Sequence, residues 1–249
     1  MALGAVLIAA ASPPTLAADA ATRAAEHVRA AMGAADRPAA DRDRDANRKP
    51  VETLAFFGLR DDMRVLELVP GGGWYTRLLA PALAERGKLY VAIGTGTVER
   101  ELVGKAGFEG LEILPFDAAG ERDADGRRDL RPFSFGVEDV DLVLTFRNLH
   151  NFSEPGRMAM NEAAFAALRP GGHYGVVDHT LRHMQPDHAE VRRRMDPVRM
   201  IREIEAAGFE FVDFSDLHYR PDDELRYEVG RATVTGNTDR FTLLFRKPE

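Results

Sequence analysis

The sequence contains no cysteine. Disulfides, thiolate nucleophiles and cysteine-ligated metal are thereby excluded. Positive charge is not in excess either, because 33 Lys and Arg against 40 Asp and Glu leave a net charge of −7. That excludes a nucleic-acid backbone as the main partner, since phosphate binding rests on clustered basic residues. No stable membrane insertion is expected, because a bilayer span needs about 20 apolar residues and the N-terminal apolar run stops at Ala11. What is present is a globular composition, 45% hydrophobic and 29% charged. In a chain of 249 residues it is enough to bury one sizeable core.

The N-terminus has the order of a secretory leader. An apolar run from Ala2 to Ala11 precedes Ser12-Pro13-Pro14, and small residues follow through Ala17. Nothing before Arg23 is positive, so the basic n-region is missing. The expectation is a signal peptide over residues 1–17, cleaved near Ala17, with a periplasmic or secreted mature protein; otherwise the chain is cytoplasmic with an Ala-rich tail. Residues 18–46 then read as an N-terminal helix, Ala20 to Met32, and an exposed linker from Gly33 to Asp45 whose charges alternate at Asp41–Asp45. The remaining 47–249 form the main domain.

In that domain helix and strand patterns alternate. Strands are expected over Arg64–Val69, Lys88–Ile93, Leu111–Leu114, Val140–Phe146, His173–Asp178, Phe209–Asp213 and Phe241–Phe245. Helices are expected over Pro50–Phe57, Trp74–Glu85, Val98–Ala106, Pro155–Leu168 and Asp196–Ala207. Residues 117–132, densely charged and without an apolar period, read as a mobile surface loop, and Arg192–Arg194 as a solvated helix face. The fold class is α/β: a Rossmann-like, doubly wound, mostly parallel seven-stranded sheet with an antiparallel last strand.

Such sheets bind ligands beyond the C-terminal ends of their strands, so the strand tips are the places to look. The first reads Glu67-Leu68-Val69-Pro70-Gly71-Gly72-Gly73-Trp74-Tyr75. Consecutive glycines between strand and helix let backbone approach a ligand closely. This pattern alone fits NAD, FAD or S-adenosylmethionine, and the spacing departs from the G-x-G-x-x-G dinucleotide fingerprint. Glu67 is placed to fix the turn or meet a cationic ligand, and Tyr75 to reach a cofactor.

The fourth tip, Thr145-Phe146-Arg147-Asn148-Leu149-His150-Asn151, crowds a guanidinium, two amides and an imidazole together. His150 is the candidate general base, Asn148 and Asn151 are candidates to orient a substrate, and Arg147 to hold a carboxylate. A loop bonded to its own backbone is the structural alternative. Asp178 and His179 end the fifth strand, facing the same cleft as His150, and His179 is a further catalytic candidate. Asp178, His179, His183 and His188 fit no metal motif by interval, and no metal is expected.

Several segments carry a resemblance. Glu67-x-Val69-Pro70-Gly71-Gly72-Gly73 resembles the acidic-x-Gly-x-Gly-x-Gly motif of class I S-adenosylmethionine-dependent methyltransferases. More narrowly, the chain is similar to a group of predicted, often exported bacterial methyltransferases. The similarity rests on Pro70-Gly-Gly-Gly-Trp-Tyr75, Thr145-Phe-Arg-Asn-Leu-His-Asn151, Arg169-Pro-Gly-Gly172 with Val177-Asp-His179, and Gly236-Asn-Thr-Asp-Arg-Phe241. It runs from Arg48 to Pro248.

The resemblance implies S-adenosylmethionine as cofactor, its methionine end on Glu67, Gly71 and Gly73. Pro70, Gly72 and Tyr75 complete that turn, Gly94 belongs to the second tip, and Thr145 and Arg147 to the fourth. Asp117 stands where a residue near the adenine is common. The acceptor is expected to be a small molecule. Two positions depart from the pattern: Val69 replaces the first motif glycine, and Ile93-Gly94-Thr95-Gly96 lacks the usual ribose-binding acid. With the compartment, where no cofactor supply is evident, they support a second possibility. In it the exported fold no longer transfers methyl groups, and works as a binding protein or a metal or acid–base enzyme through the His150/His179 cleft.

Overall fold

A computed structural model describes residues 16–249. The expected leader therefore lies outside the described residues, except for Leu16 and Ala17, which open the first helix. The elements in chain order are α1 (Leu16–Met32), α2 (Ala39–Arg42), α3 (Asp45–Arg48), α4 (Pro50–Phe56), β1 (Arg64–Leu68), α5 (Thr76–Leu83), β2 (Lys88–Ala92), α6 (Gly96–Glu101), β3 (Leu111–Ile113), β4 (Ala119–Arg122), β5 (Arg128–Leu130), β6 (Val140–Phe146), α7 (Glu154–Ala167), β7 (Leu168–His179), α8 (Pro197–Ala206), β8 (Glu210–Ser215) and β9 (Arg240–Arg246).

Seven strands form one sheet in the order β3-β2-β1-β6-β7-β9-β8, parallel from β3 to β7 and antiparallel at β7/β9 and β9/β8. The expected Rossmann-like, doubly wound sheet is thus the observed one. Its two cores follow from the period of two along each strand. On one face Val65, Val91, Leu142, Leu144 and Val177 pack with α1, α4 and α5. On the other, Leu66, Leu68, Tyr90, Val143 and Val176 pack with α7 and α8. Burial on both faces makes these strands almost continuously apolar, as parallel strands must be.

Helix starts follow local chemistry. Ser153 accepts from the Gly156 N–H at the head of α7, and Asp196 accepts from the Val198 N–H at the head of α8, each with proline next in the first turn. The fifth sheet strand is longer than expected, because Gly171 and Gly172 let the Arg169–Gly172 segment bulge between Leu168 and His173 without leaving the strand.

Three expectations are corrected. Residues 117–132 are not a featureless loop: β4 and β5 pair antiparallel around a turn in which Asp123 Oδ1 accepts from the N–H of Asp125 and Arg127. No apolar period announces this hairpin because Leu130 alone of its two strands is buried in the core, and turn hydrogen bonds close it. Residues 33–45 are not an exposed linker. Arg37 and Asp41 are buried there, with Arg37 forked onto Asp45 at 2.6 and 2.7 Å. Finally, Arg194 is no solvated side chain but makes a buried bidentate pair with Asp223 at 2.8 and 2.9 Å.

The N-terminal segment is tied to the sheet through His218. Its Nε2 donates to the Arg48 carbonyl at 3.0 Å, and its Nδ1 accepts from the Thr242 hydroxyl of β9 at 2.7 Å. Burial pushes this imidazole down to about 4. The unfolded chain then binds a proton that the folded one refuses, so the His218 contribution is complete above about pH 6.5 and is lost as pH falls through 4. Urea unfolding of wild type and His218→Gln should show a stability difference that shrinks by on the order of 3 kcal/mol between neutral pH and pH 4; a pH-independent difference contradicts it.

Candidate functional site

Three adjacent strands end level with one another. Leu68, the last residue of β1, pairs with Ala92 of β2 and Thr145 of β6. Immediately beyond, the chain turns at Val69 (φ 53°), Ile93 (φ 65°) and Arg147 (φ 61°). All three are non-glycine residues in the left-handed region, and two are β-branched, which costs on the order of 1–3 kcal/mol each. Strain of this kind concentrated on one edge is a mark of a functional site. It also opens a cleft above the strand ends.

The glycines divide into two kinds. At Gly71, Gly72 and Gly94 an added Cβ would meet nothing within 4 Å, so these residues border open space. At Gly73 (φ 77°) a Cβ would come within 3.1 Å of Arg77 and Leu102 and 3.2 Å of Val98. Gly73 therefore serves the packing of the turn on α6, while Gly71 and Gly72 present backbone to the cleft. Pro70 closes the turn, its carbonyl accepting from the Gly73 N–H at 2.9 Å.

Glu67 is buried one residue before the end of β1, and the Thr76 hydroxyl donates to its Oε2 at 2.6 Å. Burial pushes its carboxyl up to about 7, against the opposing effects of the Thr76 bond and the Arg48 charge. Tyr75 is buried too, stacked on Phe146 with ring centroids 3.5 Å apart, and burial raises its hydroxyl to about 12.

Two cavities share Val69. One, of about 140 Å³, is lined by Arg48, Glu67, Gly71, Tyr75, Arg147 and Asn148 among others. The second, of about 350 Å³, is lined by Ile93, Gly94, Phe116, Asn151 and Phe152 among others. The first is polar and charged, and the second is largely apolar with an aromatic wall.

The fourth tip is built as a clasp. The Asn148 side-chain amide donates to the carbonyls of Val69 at 2.9 Å and Phe146 at 3.0 Å, locking the β6 tip to the β1 tip. His150 is buried; its Nδ1 lies 2.7 Å from Asp178 Oδ1, and its main-chain N–H donates to Asp178 Oδ2 at 3.2 Å. The His179 ring lies 5.7 Å from that of His150, and its Nδ1 is 2.9 Å from the Thr238 hydroxyl. Burial, with His150 and the nearby arginines adding to it, holds His179 well below its ordinary value, so it stays neutral. Thr145 is fully buried with its hydroxyl unpaired among the described residues. Asp117 is exposed, its carbonyl accepting from Arg131 at 2.6 Å. His183 pairs with Asp196 at 2.9 Å, apart from His150 and His179.

Sequence reasoning missed the arginines brought by the N-terminal segment. Arg48 sits over the Trp74 ring at 4.3 Å and lines the charged cavity together with Arg44. The Trp74 Nε1–H donates to the Asp41 carbonyl at 2.9 Å, so the residues expected as linker fold over the glycine turn. The alternating charges at 41–45 were the visible signal, but alternation is also what a solvated stretch shows.

No protein-family model matches the chain, and no curated protein matches its sequence. The fold is similar to solved structures at low identity. A SAM-dependent methyltransferase from Aquifex aeolicus aligns with TM-score 0.57 and 18% identity over 89% of this chain and 97% of its own. Human N-acetylserotonin methyltransferase in complex with SAM aligns with TM-score 0.53 and 15% identity over 91% of this chain and 57% of its own. The [4+2]-cyclase SpnF aligns with TM-score 0.51 and 17% identity over 94% and 97%. The chain has the fold of S-adenosylmethionine-dependent methyltransferases, a fold that also serves a cyclase.

Proposed function

We propose that this protein is an S-adenosylmethionine-dependent methyltransferase acting on a small molecule. The observation that carries the reading is the open backbone of Gly71 and Gly72 directly after buried Glu67, at the point where the sheet order reverses between β1 and β6. The residues present suit the cofactor. The charged cavity at Glu67 and Arg147 answers a zwitterionic amino-acid end, while the apolar one at Gly94 and Phe116 answers a flat heterocycle. The unpaired Thr145 hydroxyl is fully buried on β6 opposite Leu68 and lines neither cavity. Pro70, Gly73 and Tyr75 shape the turn; Asp117 flanks the apolar end. When bound, S-adenosylmethionine supplies a methyl group activated on sulfonium sulfur.

The protein's part is proximity and proton management. Asp178 accepts from Nδ1–H of His150, which leaves Nε2 as the basic nitrogen and orients the ring. His150 takes the acceptor's proton as its nucleophile attacks. Asn148 holds the tip that carries Arg147 and His150 in register with the glycine turn, whereas Asn151, expected to orient the acceptor, lies on the wall of the cavity given to the heterocycle. Neutral His179, buried beside His150, adds no competing charge.

Three outcomes test this. Calorimetric titration with S-adenosylmethionine or S-adenosylhomocysteine should give micromolar binding, about 8 kcal/mol, and Gly72→Asp should abolish it with the fold intact because that position faces open space without a left-handed φ. Retained binding removes the turn from the site. At pH 6.5 the free protein holds much of its Glu67 carboxyl protonated, and a cationic ligand group favours the carboxylate. Binding should therefore release protons, seen as a heat that varies with the buffer's ionisation enthalpy and vanishes in Glu67→Gln; buffer-independent heats refute the role given to Glu67. His150→Ala should slow turnover about 10²-fold with cofactor affinity unchanged, and an unaltered rate excludes His150 as base.

A further inference from the structure

The charged cavity is roofed by a segment from outside the sheet. Residues 41–48 are anchored at both ends. At one end the Trp74 Nε1–H donates to the Asp41 carbonyl at 2.9 Å, and Arg77 lies 3.7 Å from Asp41 Oδ2. At the other, His218 donates to the Arg48 carbonyl at 3.0 Å, the Asn47 amide donates to the Gly236 carbonyl, and Arg240 donates to Asn47. Trp74 follows β1, whereas Arg240 pairs with His179 at the end of β7. Because β6 lies between β1 and β7 in the sheet, the segment crosses over the strand ends onto which the cleft opens.

Arg48 is the side chain that this crossing delivers. It is 4% exposed and lies over the rings of Trp74 at 4.3 Å and Tyr75 at 5.8 Å. Among the described residues its guanidinium has no hydrogen bond and no carboxylate within 4.0 Å. Other buried arginines are matched: Arg37 has Asp45 at 2.6 Å, Arg157 has Glu203 at 2.6 Å, and Arg194 has Asp223 at 2.8 Å. Stacking leaves the edge of the Arg48 fork free, and that edge grips a carboxylate with two parallel hydrogen bonds. Glu67 lines the same cavity. Burial pushes its carboxyl up to about 7, and the Arg48 charge opposes that rise, so the two feel each other without pairing. An acid and a base that face one cavity unneutralised are complementary to the ammonium and carboxylate of a single α-amino acid.

We propose that the N-terminal segment is a clamp on the cofactor, in which Arg48 grips the carboxylate of the amino-acid end while Glu67 takes the ammonium. The inference rests on the methyltransferase reading and adds to it a binding residue from outside both the glycine turn and the fourth tip. Trp74 and Tyr75 hold the guanidinium plane, and the His218 bond to the Arg48 carbonyl holds its backbone, so the fork is set before the ligand arrives. Arg147, half-buried at the β6 tip, lines the same cavity and is the competitor for the carboxylate.

Calorimetry on the full chain compares S-adenosylhomocysteine with its decarboxylated analogue, which keeps the ammonium and lacks only the carboxylate. Wild type should bind S-adenosylhomocysteine at least about tenfold more tightly. Arg48→Met should weaken S-adenosylhomocysteine by about that factor and leave the analogue no weaker, so that the preference disappears. A merely structural role for Arg48 would weaken both ligands alike. Should Arg48→Met not fold, Arg48→Lys serves: the preference should fall at least about threefold, because an ammonium keeps the charge and loses the fork. Equal binding of the two ligands by wild type overturns the clamp, as does a preference unaltered by the Arg48 substitutions. A preference kept in Arg48→Met and lost in Arg147→Met gives the carboxylate to Arg147 and overturns it too. In all three cases S-adenosylhomocysteine still binds and the methyltransferase reading stands. Failure of wild type to bind S-adenosylhomocysteine removes that reading and the clamp together.

Discussion

The parallel register that sets Leu68 between Ala92 and Thr145 is the constraint on which the rest depends. It brings the ends of β2, β1 and β6 to one level, so that three successive turns open onto the same space. Each turn leaves its strand through a left-handed residue, and Asn148 bridges two of them by donating to the Val69 and Phe146 carbonyls. A slip of one residue would send Glu67 from the glycine side of the sheet to the other face. The buried apolar faces on both sides prevent that slip, so core packing and site geometry are the same fact seen at two scales.

Electrostatics then distinguishes structure from site. Where a charge serves only the fold, this protein neutralises it: Arg157 and Arg194 hold their carboxylates in bidentate geometry, and His218 stays neutral with both nitrogens bonded. Above the strand ends the rule reverses. Glu67 keeps a proton to near neutrality, and Arg48 and Arg147 stand without anions. Perturbed groups of this kind cluster at functional sites, and here they mark the strand ends as the candidate one.

The sheet was legible because its signals are local and redundant. Apolar strands such as Val140–Phe146 are bounded by turns, and helices such as α8 begin with Asp196 and Pro197. The glycine turn and the Arg147–Asn151 tip were legible for the same reason, each being contiguous in sequence. What was not legible depends on contacts between distant residues. The N-terminal segment looks like a linker until Trp74 is seen to bond the Asp41 carbonyl and His218 the Arg48 carbonyl. Arg194 looks solvated until Asp223, 29 residues away, is found opposite it. The β4–β5 hairpin hid because Asp123 closes its turn and only Leu130 of its two strands is buried, too little for a period. Long-range pairing of polar groups leaves no period in a sequence.

Val69 shows how a departure from a motif is to be weighed. The conformation at that position, φ 53°, is one that glycine adopts freely and valine only with strain. The backbone path that a glycine would take is thus preserved here at an energetic cost, supported by the Val69 N–H bond to Ala92 at 2.9 Å and the Asn148 bond to the Val69 carbonyl. What changes is the side chain, which lines both the charged cavity and the apolar one. The substitution therefore leaves the turn intact and places an isopropyl group where the two compartments meet. A ligand that occupies both must pass over it, which favours one flexible enough to bend at its middle, with a polar end beside Arg147 and a flat end beside Phe116.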